Sequence, residues 1–227
     1  MERKRFDAII LMAGSGLRSG LMYNKTLYRI YNKPIFVYSL EKFQRNEACE
    51  NIILVYKDND LEEIKKILTD YDSKKIILVN GGATRQDSVY NGLLACINEK
   101  VLIHDGARPL VTMDEINSTY EELCCGNVCT CGYQAKDTIK EMTDVCKTLD
   151  RKNLFIVSTP QGVFKEKMIK AIKKAKLDNY VGYDDVSLLE KYFQYVPKIV
   201  GNNSYNIKAT TMEDIKIISL IIGDKNV

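Results

Sequence analysis

One histidine, His104, has to serve all 227 residues, and that scarcity removes whole mechanisms. Ser/His/Asp chemistry and histidine-rich metal sites need imidazoles that this chain does not have. His104 itself sits inside the apolar run VLIHD, where a satisfied, partly buried ring is the expected role rather than a catalytic base. Long apolar runs are missing as well. The N-terminal MERKRFDAIILM carries basic residues, but its apolar stretch is too short for a secretory signal or a membrane span, so a cytoplasmic protein with no membrane partner is expected. Charge of one sign is also scarce. The net charge is only +3, with Lys and Arg dispersed among Asp and Glu, and no broad surface for nucleic acid is offered.

The seven cysteines are an odd number in a chain without a signal, which argues for reduced thiols. Cys124, Cys125, Cys129 and Cys131 cluster, but their spacing is not that of paired Cys-x2-Cys zinc knuckles. Cys129 and Cys131 share one face of a strand and read as small buried hydrophobes. There is no repeat, low-complexity tract or linker, so residues 1–227 are expected to form one domain.

What the chain does have is the stretch from Asp7 to Lys25, DAIILMAGSGLRSGLMYNK. Ala8 to Met12 reads as a buried parallel strand. Ala13, Gly14, Ser15 and Gly16 then leave the backbone nearly bare, so that a polyanion can approach the main-chain N–H groups. Arg18 and Lys25 bring a planar fork and a point charge, both suited to a triphosphate. A dinucleotide fingerprint would need a third glycine where Ser19 stands, and the Gly-Lys-Ser/Thr of a P-loop is absent. A turn that uses glycine for shape alone would leave Arg18 and Lys25 without a purpose.

Strand and helix then alternate. Strands are expected at Asn51 to Tyr56, Lys75 to Val79, Lys100 to Asp105, Asn127 to Tyr133 and Val196 to Val200. Helices are expected from Pro34, from Asp60 with Glu63 as a capping pair, across TRQDSVYNGLLACI, from Thr112 with Glu115, from Phe164 to Lys176, from Asp184 to Phe193 and from Thr211. This pattern predicts an α/β fold, a Rossmann-like, mostly parallel sheet with helices on both faces. Residues 136–158, polar and without a helical stripe, break the rhythm and predict a protruding β-arm that packs on a neighbour.

Ligands of open α/β sheets sit beyond the carboxyl ends of the strands. The loops expected there are AGSGLR, GGATRQDS, HDGARP and AKDT, three of which contain arginine. Asp105 closes an apolar strand at that edge. It can hold Mg²⁺ bridging phosphates, or it can cap loop N–H groups. Arg108 either faces phosphate or clamps Asp105. With no base at hand, the fitting chemistry is attack by an already anionic phosphate on a nucleotide phosphorus, driven by positioning and charge neutralisation.

The motifs LMAGSGLR with Lys25 beyond it, GGATRQDSVYNGL, IHDGARP, AKDTIK, LDR, TPQGVF and NIKATTMEDI occur in this order over nearly the whole chain. Together they resemble the 2-C-methyl-D-erythritol 4-phosphate cytidylyltransferases of the non-mevalonate isoprenoid pathway, and the similar ribitol-5-phosphate cytidylyltransferases share most of them. The resemblance implies CTP on the loop Ala13, Gly14, Ser15 and Gly16, with Arg18 and Lys25 on its triphosphate and Lys208 at the α-phosphate. It implies Mg²⁺ at Asp105, nucleotide contacts at Asp105 and Gly106, and a cytosine pocket from Gly82, Ala83 and Ser88. Thr138 and Arg151 would bind the polyol phosphate from the arm of the other subunit of a homodimer, with Arg108 also on the substrate side. A solvated arm surface is the plainer account of Thr138 and Arg151.

The chain departs from the family at Met12, where a second Ala is usual, at Asn24 and Thr26, where Pro and Gln flank the lysine, and at Tyr183, where Thr is common. The loop HDGARP is closer to the erythritol enzymes than the HDAVRP of the ribitol enzymes, and the erythritol phosphate is the expected acceptor. A nicotinamide oxidoreductase would need an acid at the end of the second strand, where Tyr56 and Lys57 stand before Asp58. A non-catalytic nucleotide-binding regulator would have lost Lys25, Asp105 or Lys208, and all three are present.

Overall fold

The apolar runs of the sequence become the strands of one central sheet. In this computed structural model, residues 5–14, 24–202 and 204–224 are described. The chain begins with β1 (Phe6–Leu11), β2 (Arg29–Ile30), β3 (Lys33–Pro34), α1 (Ile35–Arg45), β4 (Cys49–Tyr56), α2 (Leu61–Leu68) and β5 (Ile76–Asn80). It continues through α3 (Arg85–Ala95), β6 (Lys100–Asp105), α4 (Met113–Cys124), β7 (Cys129–Gln134), β8 (Lys140–Met142) and β9 (Cys146–Thr148). It closes with β10 (Phe155–Phe164), α5 (Lys165–Leu177), α6 (Asp185–Phe193), β11 (Lys198–Gly201) and α7 (Met212–Asp224). Among the described residues, no helix is long and apolar enough to cross a membrane.

The sheet has seven strands in the order β11-β7-β10-β6-β1-β4-β5. The pairs of β1 with β4 and β6, of β4 with β5, and of β7 with β11 are parallel. Side chains of β1 alternate between two cores, as the two-residue period of a strand demands. Phe6, Ala8, Ile10 and Met12 join one core with α1, α2 and α4, and Ile9 and Leu11 join the other with α3, α5 and α6. Both faces are thus covered, and the expected mostly parallel α/β sheet is what forms. The chain adds β4 and β5 on one side of β1 and then returns to place β6 on the other. That reversal leaves a crevice at the carboxyl ends of β1 and β6.

Two sequence expectations need correction. The segment TPQGVF, left without an element, lies in β10, which runs antiparallel between β6 and β7. Consequently the protruding arm is shorter than 136–158. Its hairpin is β8 and β9, and Phe155 to Val157 have already rejoined the sheet opposite Gln134 to Gly132. Pro160 is tolerated there because the register shifts between Val157 and Gln161, so its missing N–H breaks no ladder bond. The second correction concerns Asp60. It makes no side-chain cap on α2, because it already lies in a helical turn and its carboxylate accepts instead from Asn24 Nδ2 at 2.8 Å. The box of Thr112 and Glu115 on α4 forms as expected, and Thr84 with Asp87 caps α3 in the same way.

Candidate active site

Each wall of the crevice begins where a strand ends. At the exit of β1, Met12 keeps its N–H on Val55 O at 2.8 Å and buries its side chain in the core. Its departure from the usual alanine is therefore absorbed inside, and Leu11, Ala13 and Gly14 line the crevice on either side of it. Ser15, Gly16 and Arg18 lie outside the described residues. The chain is described again at Asn24, a buried residue whose amide does several jobs. Its Nδ2 donates to Met12 O at 2.6 Å and to Asp60, while its Oδ1 accepts from the N–H and the hydroxyl of Thr26. Asn24 and Thr26 are thus one coupled change from the family pattern. They fasten both sides of Lys25, which lines the crevice.

At the exit of β5 the loop must pass close to its neighbours, and glycine allows it. A Cβ on Gly81 would stand 2.6 Å from the Ala13 Cβ, and one on Gly82 2.3 Å from the Asp87 Cβ. Ser88, buried on α3, accepts the Gly82 N–H and donates to Thr84 O, both at 3.0 Å, so its hydroxyl shapes the loop that exposes Gly82 and Ala83. Gly106, expected among the nucleotide contacts, stands between Asp105 and Ala107 of the crevice wall. Its N–H is spent on Leu11 O at 2.9 Å, and a Cβ would stand 3.0 Å from that same oxygen.

Asp105, at the end of β6, is the centre of the charge arrangement. Lys208 Nζ lies 2.7 Å from its Oδ2, and Arg108 Nε lies 3.6 Å from that oxygen. Arg85 reaches Oδ1 from Nη2 at 3.3 Å and holds Asp185 with two 2.8 Å bonds. Burial alone would raise the Asp105 carboxyl, but Arg85, Lys208 and Arg108 outweigh it and hold it well below the usual carboxylate range. The crevice encloses about 460 Å³, with Lys25, Arg85 and Lys208 among its walls. Lys25 and Lys208 beside a small-residue floor suit a polyphosphate, while the Arg85 guanidinium is engaged by Asp185 and Asp105. Of the two readings of Arg108, the geometry here is the clamp: its Nη1 donates to Asn206 O at 2.7 Å and the side chain is largely buried.

His104 is fully buried, more so than expected, and its contacts fix its tautomer. Nε2 faces the carbonyl oxygen of Arg108 at 3.1 Å, an acceptor only, so Nε2 carries the hydrogen. Nδ1 then accepts from the Thr159 hydroxyl at 3.0 Å, and that hydroxyl accepts the Asp105 N–H at 3.1 Å. The ring is a strut beneath Asp105. Burial draws its pKa down to about 4 from an ordinary 6.5. Because the folded value lies below the unfolded one, this contribution to stability is complete above pH 6.5 and is lost as pH falls towards 4. Unfolding free energy is therefore expected to drop by up to ~1.4 kcal/mol per pH unit across that window from this group alone. Urea midpoints at pH 7.5 and 5.5 check this, and His104→Asn should flatten the slope.

Thr138 and Arg151 are exposed on the arm and are not brought to this crevice within their own chain. Arg151 donates to Lys136 O and lines a separate open hollow at the arm's base with Tyr133 and Lys152. Sequence reasoning missed Arg85, Asp185 and Asn24. Arg85 was visible as an arginine in an edge loop, but nothing local tells which carboxylates it meets, since Asp185 is 100 positions away.

A hard carboxylate in the wall of a phosphate-sized crevice suits Mg²⁺, which is commonly held by one or two carboxylates together with substrate phosphates. Among the described residues, no cluster of three metal-binding side chains exists, so the rest of the shell would have to come from the substrate and water.

The family model described as "IspD: 2-C-methyl-D-erythritol 4-phosphate cytidylyltransferase" matches residues 6–224. A curated relative of that name from Shouchella clausii is 38% identical over 221 residues, 96% of either chain. One from Bacillus cereus is 37% identical over 216 residues, 93% of this chain and 95% of its own. Among solved structures, the 4-diphosphocytidyl-2C-methyl-D-erythritol synthase of Anaerococcus prevotii superposes with a TM-score of 0.87 at 30% identity, covering 98% of this chain and all of that one. The 2-C-methyl-D-erythritol 4-phosphate cytidylyltransferase of Francisella tularensis superposes with a TM-score of 0.79 at 31% identity, covering 95% and 99%.

Proposed function

This chain belongs to the 2-C-methyl-D-erythritol 4-phosphate cytidylyltransferase family, and from that premise we propose how its own residues carry the reaction. It transfers a cytidylyl group from CTP to 2-C-methyl-D-erythritol 4-phosphate in isoprenoid biosynthesis. The acceptor's phosphate monoester has a second pKa of about 6 and arrives mostly as a dianion at neutral pH. No side chain need remove a proton. A phosphate oxygen bonds to the α-phosphorus of CTP, the bond from that phosphorus to the β-phosphate bridge breaks, and pyrophosphate leaves with the electron pair.

The protein's share is positioning and charge. The N–H groups of the loop from Ala13 to Gly16 cradle the triphosphate, with Arg18 and Lys25 beside it. Gly82, Ala83 and Ser88 form the cytosine pocket, with the Ser88 hydroxyl bracing the loop through the Gly82 N–H. Lys208 reaches the α-phosphate and the incoming oxygen. Asp105 would hold Mg²⁺, which when bound neutralises phosphate charge and polarises the phosphorus.

The single observation that carries this reading is the ion pair of Lys208 and Asp105 at 2.7 Å in a crevice shared with Gly14 and Lys25. Incubation with CTP, Mg²⁺ and either methylerythritol phosphate or ribitol 5-phosphate, with pyrophosphate as the readout, tests it. Turnover is expected with the former. Turnover with ribitol 5-phosphate alone would transfer the assignment to the other acceptor.

The chain acts as a homodimer in this reading, each arm crossing to its partner's acceptor site. Support comes from apolar side chains open to solvent among the described residues: Met142 and Val145 at the hairpin are 71% and 70% exposed, and Phe155, Ile156 and Val157 at its base are 46%, 43% and 40% exposed. Arg151→Ala is expected to raise KM for the polyol phosphate while CTP affinity changes little. At polyol phosphate well below the raised KM, where Lys25→Ala and Arg151→Ala each turn over slowly, mixing the two variants should restore part of the activity after subunit exchange, since some mixed dimers pair an intact Lys25 with an intact partner arginine. No recovery despite demonstrated exchange would place Arg151 within its own chain's function, or outside function altogether.

A further inference from the structure

Asp185, the first residue of α6, has a side chain only 3% exposed, and one guanidinium takes both of its oxygens. Arg85 Nη1 and Nη2 each lie 2.8 Å from them. The other edge of the same guanidinium faces Asp105, with Nε and Nη2 at 3.4 and 3.3 Å from Oδ1. The fork on Asp185 is short and bidentate, and the contact with Asp105 is longer and looser. Since Lys208 occupies Oδ2, Oδ1 is the atom of Asp105 left for a cation, and Arg85 is the group that stands over it.

Asp185 is held where it is from behind. Gln161, buried on β10, accepts the N–H groups of Asp185 and Val186 at 2.9 and 3.3 Å and donates to Asp184 Oδ2 at 2.8 Å. Asp184 in turn caps α6 by accepting the Ser187 N–H. The carboxylate thus projects from a fastened helix start onto a cation that has two acids to choose between.

We infer that Asp185 is a positioning residue that holds Arg85 back from Asp105, keeping that carboxylate open to a divalent cation. The inference rests on the reading of Asp105 as the metal's protein ligand. A guanidinium that loses one bidentate partner beside a second carboxylate closes onto it, and an incoming metal must then displace a full fork rather than a loose contact.

The test uses the full chain with CTP and Mn²⁺ as the probe, reading free aqueous Mn²⁺ by electron paramagnetic resonance, with thermal melts as a check on folding. Asp105→Asn is expected to abolish most of the CTP-dependent Mn²⁺ binding. Asp185→Asn is expected to raise the Mn²⁺ midpoint tenfold or more, and the double variant R85Q/D185N to return it to within about twofold of wild type. Arg85→Gln alone should bind Mn²⁺ at least as tightly as wild type, a comparison that stands even if Asp185→Asn folds poorly. A wild-type midpoint in Asp185→Asn, no recovery in the double variant, or weakened binding in Arg85→Gln would each overturn the inference and leave Asp185 a structural anchor of α6. Undiminished Mn²⁺ binding in Asp105→Asn would show that the metal reading itself had failed, and the inference with it.

Discussion

Lys25→Ala is expected to lower turnover on the order of 10²-fold or more while CTP affinity changes far less. In the ground state the negative charge of CTP is spread over three phosphates, and backbone N–H groups of the loop can hold it without this lysine. As the bond to the leaving group breaks, charge moves onto the pyrophosphate. A cation fixed there gains more attraction in the transition state than in the ground state, and only that surplus raises kcat. The structure gives the reason to call Lys25 fixed. Asn24 and Thr26 on either side of it are buried and bonded to each other, and Asn24 is tied to Met12 at the exit of β1 and to Asp60 before α2. Single-turnover rates and CTP titration on the same preparation separate the two quantities. Near-wild-type turnover in the variant would remove Lys25 from the transition-state contacts, and equal losses in binding and rate would make it a ground-state anchor.

The parts of this protein that could be read from its sequence are those where one residue type in one pattern has one physical use. Ala8 to Met12 reads as a buried parallel strand, and β1 lies inside the sheet between β6 and β4, buried throughout. Thr112 three residues before Glu115 announced a helix start, and the box forms. Strand β10 was illegible for the opposite reason. Its middle, Ser158 to Gln161, is polar and contains a proline, the usual composition of a loop, yet it is buried. What sustains it is a set of long-range hydrogen bonds: Gln161 to Thr130 and to α6, Thr159 to His104 and Asp105, and Asn206 Nδ2 to Thr159 O. A local pattern carries no trace of such partners.

The candidate site divides in the same way. The small-residue loop, the lysine beyond it and the acid closing β6 announce a phosphate site because they cluster at strand ends. The ionic order within the site is a tertiary fact. Asp60 failed as a helix cap because Asn24, 36 residues earlier, takes its carboxylate, and Arg85 acquired its role from Asp185 and Asp105, both distant in the chain. The glycine at position 106 has a tertiary reason as well, since its N–H and its missing Cβ both meet Leu11 O at the end of β1.

Asp105→Asn is expected to abolish most activity, by more than about 10²-fold, with no rescue by added metal. Asparagine keeps the shape and one acceptor oxygen but loses the charge that holds a hard cation against water. The same substitution also leaves Lys208, Arg85 and Arg108 facing a neutral amide, so some stability is lost, and the two effects have to be told apart. Removing one partner of a fully buried pair costs about 3–5 kcal/mol. Here the side chains of Lys208 and Arg85 are 37% and 39% exposed and remain solvated, so a cost nearer 1–2 kcal/mol is expected. A loss of that size lowers the melting temperature but leaves the variant folded at 20 °C, where the activity loss should persist in full. The companion measurement is metal removal: chelated wild-type enzyme should be inactive and recover with Mg²⁺. If chelated enzyme kept its full rate, the place of Asp105 among three cations would be explained by the ion pairs alone. If Asp105→Asn lost activity only in proportion to its unfolded fraction, the carboxylate would be a structural part of the β6 terminus.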